Sequence, residues 1–117
     1  GRLVLIGAET ERPYERPPLT KGFLTGQTER EKVYLHEPTF YTDNDIDLRT
    51  GVRAEDLDRR SSELVLDTGE RISFDQLLLA TGARPVRPRL PGAEQGHVHV
   101  LRSLADWAAY LRPKVAA

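Results

Sequence analysis

The stretch Leu3-Val4-Leu5-Ile6-Gly7-Ala8-Glu9 decides how this chain is read. Leu3 to Ile6 is an unbroken apolar run closed by Gly7. Such runs suit strands buried on both faces, as in a parallel sheet, whereas half-exposed hairpin strands alternate. An acid just past such a strand has a specific use in a dinucleotide-binding βαβ unit, where it accepts hydrogen bonds from ribose hydroxyls. Glu9 stands where that acid would stand. Its companion signature, a G-x-G-x-x-G turn opening a helix about 20 residues upstream, occurs nowhere in the sequence. Taken alone, Glu9 is either an ordinary surface acid after a strand or the ribose acid of a chain cut from a larger one.

Downstream, residues 7–20 hold no periodic pattern and contain Pro13, Pro17 and Pro18. Adjacent prolines fix φ and remove backbone donors, which predicts an ordered extended loop. Thr20 is expected to cap a short helix through Leu24, stopped near Gly26, and a second short helix is expected from Glu37–Pro38 to Asn44. From Ile46 the period changes. Ile46 and Leu48 alternate with charged residues as a half-buried strand, and Val52 to Leu57 predicts another. Ser62–Leu66 and Arg71–Phe74 flank Asp67-Thr68-Gly69-Glu70 as a hairpin. Leu77-Leu78-Leu79-Ala80 is a second fully apolar run, halted by Thr81-Gly82. Residues 83–92 read as a connector, Val98, Val100 and Leu101 as one more strand, and Ser103 to Leu111 as a helix opened by a capping-box pair. The fold class expected is α/β: two buried strands of parallel character with an antiparallel β-meander inserted between them.

Composition narrows the function. A chain of 117 residues is enough for one core rather than two independent domains. The absence of cysteine removes disulfides, thiolate metal sites and dithiol redox chemistry from these residues. A net charge of −1 argues against a nucleic-acid or anionic-membrane footprint. No apolar run approaches the roughly 20 residues of a membrane span, and no secretory signal is legible. The expected location is the cytoplasm. His36, His97 and His99 lack metal-ligand spacing and are read as surface or packing residues. Arg84, Arg87 and Arg89 are read as a solvated, proline-interrupted connector. Trp107, with Leu104 and Leu111, is read as the apolar face of the last helix.

Residues 5–21, LIGAETERPYERPPLTK, carry a more specific signal. They resemble the flavin-domain segment of the ferredoxin reductases in the pyridine nucleotide-disulfide oxidoreductase superfamily, the putidaredoxin and rubredoxin reductase types that serve oxygenase systems. Leu77-Leu78-Leu79-Ala80-Thr81-Gly82-Ala83-Arg84-Pro85 is similar to the family's L-x-L-A-T-G-x-x-P, and His99 to Asp106 to its V-x-x-L-R-T-L-x-D. The resemblance implies part of a Rossmann-like FAD-binding domain over residues 1–112, without the N-terminal glycine-rich βα unit. Residues 113–117 would then begin a linker to an absent NADH-binding domain. It implies FAD as cofactor, NADH as electron source in the parent protein, and a ferredoxin-type iron–sulfur partner. No acid–base catalyst is expected.

The resemblance also assigns roles. Glu9 would hold the adenosine ribose of FAD. Arg16, held beside Pro17, would lie against the adenosine half, and Lys21 by the flavin and phosphate chain. The backbones of Ala80, Thr81 and Gly82 would approach the cofactor closely. Arg102 would lie near it beside the start of a helix, and the backbone of Ala54 would meet the adenine. Two alternatives stay open: a related NADH oxidase with a different electron acceptor, or a non-catalytic α/β module that folds without cofactor and forms a homodimer through an exposed strand edge.

Overall fold

The computed structural model describes residues 1–111, which divide into two compact units. The first comprises Gly1–Tyr14 and His36–Ala80, and the second begins with Glu15–Leu35 and resumes at Thr81. The linker expected at residues 113–117 lies outside the described residues.

In the first unit, β1 (Leu3–Gly7) pairs in parallel with β2 (Ile46–Thr50), Leu3 opposite Ile46 and Gly7 opposite Thr50. Parallel neighbours need a long crossover, which residues 8–45 supply. The pairing continues past the strands, where the Val52 N–H donates to the Gly7 carbonyl at 3.1 Å and the Gly51 N–H to the Glu9 carbonyl at 2.8 Å. Gly51 makes this return at a φ of +69°, a conformation that penalises any side chain. A meander follows: β3 (Ala54–Asp58), β4 (Glu63–Leu66) and β5 (Arg71–Ser73), antiparallel in that order. Along β4 the pleat sends Leu64 and Leu66 into the core and the half-buried Glu63 and Val65 to the other face. The Asp67–Glu70 turn closes through Leu66 N–H to the Glu70 carbonyl at 2.9 Å. Short α1 (Phe40–Asp43) buries Tyr41 and stacks Phe40 on His36, ring centroids 3.7 Å apart. His36 is exposed and stacks on Phe40, which agrees with its reading as a surface or packing residue.

The second unit has its own core of Leu19, Phe23, Val33 and Leu104. Pro17–Thr20 forms a 3-10 turn with Pro17 at its start, where a missing N–H costs nothing. The last helix opens at α2 (Leu104–Asp106) with the expected capping box, and Trp107–Leu111 continues it as a π-helical turn. Trp107 packs on Phe23, ring centroids 4.4 Å apart, so its reading as a packing residue stands.

Several expectations are corrected. Leu77–Ala80 forms no strand, and Leu78 is 88% exposed. A run of leucines marks what can be buried, but a strand exists only where neighbours complete its hydrogen bonds, and residues 77–80 have none in register. Residues 98–101 form no strand for the same reason. β1 is buried on one face rather than two: Leu3 and Leu5 are exposed while Val4 and Ile6 are half-buried. Thr20 ends a 3-10 turn instead of capping a helix, because Pro17 and Pro18 start the turn three residues earlier. The second short helix is confined to Phe40–Asp43, and β3 begins at Ala54 rather than Val52. A further 3-10 turn at Arg30–Val33 had no signal in the apolar periodicity.

Candidate functional site

Glu9 lies two residues beyond β1, at the carboxyl end of a parallel pair, the position at which open α/β sheets bind ligands. Its main chain is tied by Gly51, and its half-buried carboxylate accepts a hydrogen bond from the Tyr14 hydroxyl at 2.5 Å. The loop between them is held by Arg12, whose Nε donates to the His36 carbonyl at 3.0 Å. Ala54 lies in the same unit, exposed at the start of β3 opposite Leu66, with a bulge between it and Asp56. Ala80, also of this unit, is exposed outside any helix or strand.

In the second unit the structure brings Arg16, Pro17 and Arg102 together. Arg16 Nη1 donates to the Arg102 carbonyl at 2.8 Å, across 86 residues of sequence. Both residues line an open hollow of about 310 Å³ with Pro17, Leu19, Arg84 and Leu101. Arg102 in turn depends on the helix cap, since its N–H and that of Ser103 both donate to Asp106 Oδ2, at 3.1 and 3.0 Å. Burial pushes the Asp106 carboxyl up, but those N–H donors, the Ser103 hydroxyl and the charge of Arg16 outweigh it and hold it below the usual aspartate range. Gly82 belongs to this group by subtraction. Its φ is +71°, and a Cβ there would stand 2.8 Å from Arg102 Nη2. The guanidinium of Arg102 thus occupies the space a side chain at position 82 would need.

Thr81 is exposed outside any helix or strand, and Lys21 is exposed just after the 3-10 turn, its N–H bound to the Pro18 carbonyl at 3.0 Å. Neither lines the hollow that Arg16 and Arg102 share.

One residue beside a candidate site residue escaped the sequence reading. Tyr14 could have been found from its place five residues after Glu9, fixed behind Pro13. Arg84 is exposed in its connector, as the sequence reading has it, and it also lines the hollow. Arg87 was read likewise, and instead staples its connector by donating to the carbonyls of Ala93 and Val98 at 2.7 and 3.0 Å. Among the described residues no group of His, Asp or Glu is placed to hold a metal ion, and no helix is long and apolar enough to cross a membrane.

The chemistry of these groups suits a dinucleotide. A carboxylate at a strand end matches a ribose diol, and guanidiniums fork onto phosphate oxygens. Comparison with known proteins bears on which dinucleotide. The profile of the pyridine nucleotide-disulphide oxidoreductase family matches residues 1–116. The chain is 36% identical over 115 residues to a rubredoxin-NAD(+) reductase of Pseudomonas putida, covering 98% of this chain and 30% of that protein. It is 38% identical over 106 residues to the ferredoxin–NAD(+) reductase subunit of a benzene 1,2-dioxygenase system, also from Pseudomonas putida, covering 91% of this chain and 26% of that one. Among solved structures, the covalent putidaredoxin reductase–putidaredoxin complex superposes with a TM-score of 0.85 at 35% identity, over 97% of this chain and 28% of the other. The chain thus spans about 30% of the length of the relatives it matches.

Proposed function

Since the chain belongs to the pyridine nucleotide-disulphide oxidoreductase family, we propose that it is part of the FAD-binding domain of a cytoplasmic NAD(P)H-dependent flavoprotein reductase. The parent protein would take electrons from NADH through FAD and pass them to a ferredoxin-type iron–sulfur protein of an oxygenase system. The observation that carries this reading is the arginine pair of the second unit, in which Arg16 from the proline-rich segment donates to the Arg102 carbonyl beside the start of the last helix. The relatives' names, reductases of ferredoxin and rubredoxin, supply the acceptor class. FAD supplies chemistry no side chain has: it takes two electrons at once and releases them singly.

The work left to this chain is binding and orientation. Glu9 would accept the adenosine ribose hydroxyls. Arg16 and Arg102, with Arg84, would set positive charge opposite the diphosphate oxygens, where paired guanidinium N–H groups give direction as well as charge. Lys21 would add a cation by the flavin end. The backbones of Ala54, Ala80, Thr81 and Gly82 would approach the cofactor, and Gly82 also leaves room for the Arg102 guanidinium. Residues 1–112 would form this part of the domain, with the linker to the NADH-binding domain starting at 113.

The test is to express the full reading frame containing this sequence and measure bound flavin and NADH-dependent reduction of a [2Fe–2S] ferredoxin. Yellow protein that retains flavin through gel filtration and reduces the ferredoxin is expected. Arg16→Ala should weaken FAD binding by roughly ten-fold or more, the loss expected on removing a hydrogen bond to a charged group. Colourless protein that takes up no FAD, or a colourless dimer, would overturn the reading in favour of a cofactor-free module.

A further inference from the structure

A glutamate has several rotatable bonds, and a carboxylate that must meet two adjacent ribose hydroxyls gains from losing that freedom before the ligand arrives. In this chain Glu9 is restrained at its main chain and at its side chain. Its carbonyl oxygen accepts the Gly51 N–H at 2.8 Å, fixing the main chain at the strand end. Its Oε2 accepts the Tyr14 hydroxyl at 2.5 Å, fixing the side chain. Neither Glu9 nor Tyr14 is fully exposed, so water competes less for this bond than it would on an open surface.

The tyrosine is itself well held. Pro13 limits the backbone immediately before it. Arg12, one residue further back, is tied to the His36 carbonyl at 3.0 Å. The phenol ring is rigid, so its hydroxyl arrives from a defined direction. A carboxylate offers about four acceptor positions, and one phenol occupies one of them.

We propose that Tyr14 is a positioning residue for nucleotide recognition: its hydroxyl holds the Glu9 carboxylate in the orientation that receives the ribose diol of an adenine dinucleotide. The inference rests on Glu9 being the ribose acceptor of the proposed FAD site, and adds the residue that makes it an efficient one. Tyr14 touches Glu9 rather than the reacting atoms, so its effect should appear in selectivity for the diol, not in the chemistry.

The experiment uses the protein from the full reading frame and compares binding of FAD with binding of its 2′,3′-dideoxyadenosine analogue, both by flavin fluorescence, on folded protein recovered from gel filtration. The ratio of the two affinities within one variant cancels any general loss from altered stability. Wild type should prefer FAD by roughly ten- to hundred-fold, the worth of hydrogen bonds to a carboxylate. Tyr14→Phe, which removes only the hydroxyl, should reduce that preference by about ten-fold. Glu9→Gln should reduce it at least as far, and the double variant should match Glu9→Gln, because the two residues act as one unit. A Tyr14→Phe protein that keeps the wild-type ratio while Glu9→Gln loses it would overturn the inference and leave the FAD reading intact. Wild-type protein that binds FAD without preferring the diol, or does not bind FAD, would remove the role of Glu9 and the inference with it.

Discussion

Asp106 shows how one side chain can serve both a helix and a site. It accepts the N–H groups of Arg102 and Ser103 while its own N–H is accepted by Ser103 Oγ at 3.1 Å. Burial works to raise its pKa, and the N–H donors, the Ser103 hydroxyl and Arg16 more than reverse that. Because the folded-state value is lowered, the stabilisation is fully present above the ordinary aspartate value of 3.8 and is lost as pH falls through the lower folded value. Asp106→Asn should therefore lower stability at neutral pH by about 0.5–2 kcal/mol, the usual cost of a weakened cap. The deficit should shrink as pH falls below the ordinary aspartate range, and urea midpoints measured between neutral pH and acid would check both parts. The capping pair was legible because Ser103 and Asp106 sit three apart before an apolar run. Arg16 meeting the carbonyl of Arg102 was not, since no local pattern links residues 86 apart.

At the scale of elements, alternation was the dependable signal. Leu64 and Leu66 alternate along β4, face the core, and lie in the hairpin that the Asp67–Glu70 turn predicted. Leu66 is 2% exposed, so Leu66→Ala should cost about 2–5 kcal/mol through lost burial and the cavity left behind. Leu79→Ala, at a residue 65% exposed, should change stability by only about 0.5 kcal/mol or less. Thermal denaturation of the two variants gives the contrast. Unbroken apolar runs were less dependable. LVLI is a strand because β2 supplies its ladder, while LLLA is just as unbroken an apolar run and has no ladder. Charged links such as Arg49 to Glu70 at 2.8 Å, from β2 to the meander turn, lie at the surface, where ion pairs contribute little.

For the whole molecule, the notable feature is how much apolar surface lies outside the two cores. Leu78, Leu79, Val86 and Leu90 are all exposed by more than half. Exposed apolar residues of this size promote association. Replacing Leu78 with Glu should lower concentration-dependent self-association of the 117-residue chain, measured by sedimentation velocity, while leaving its melting temperature within a degree or two. Persistent association in that variant would locate the contact elsewhere. Each unit joins segments that are distant in the sequence, so a reading that proceeds along the chain treats as one span what folding divides.

The amino-acid order by itself determined the first strand, the meander, the final helix cap and, through ERPYERPPLTK, membership of a flavoprotein family, because each depends on contacts within a few residues or on a long specific string. Only the tertiary structure decided that the second apolar run, Leu77–Ala80, stays out of the sheets, that the Tyr14 hydroxyl meets Glu9, and that Arg16, Arg84 and Arg102 share one hollow. Those outcomes depend on which hydrogen-bond partners and which free space distant segments bring. Local propensity does not encode either.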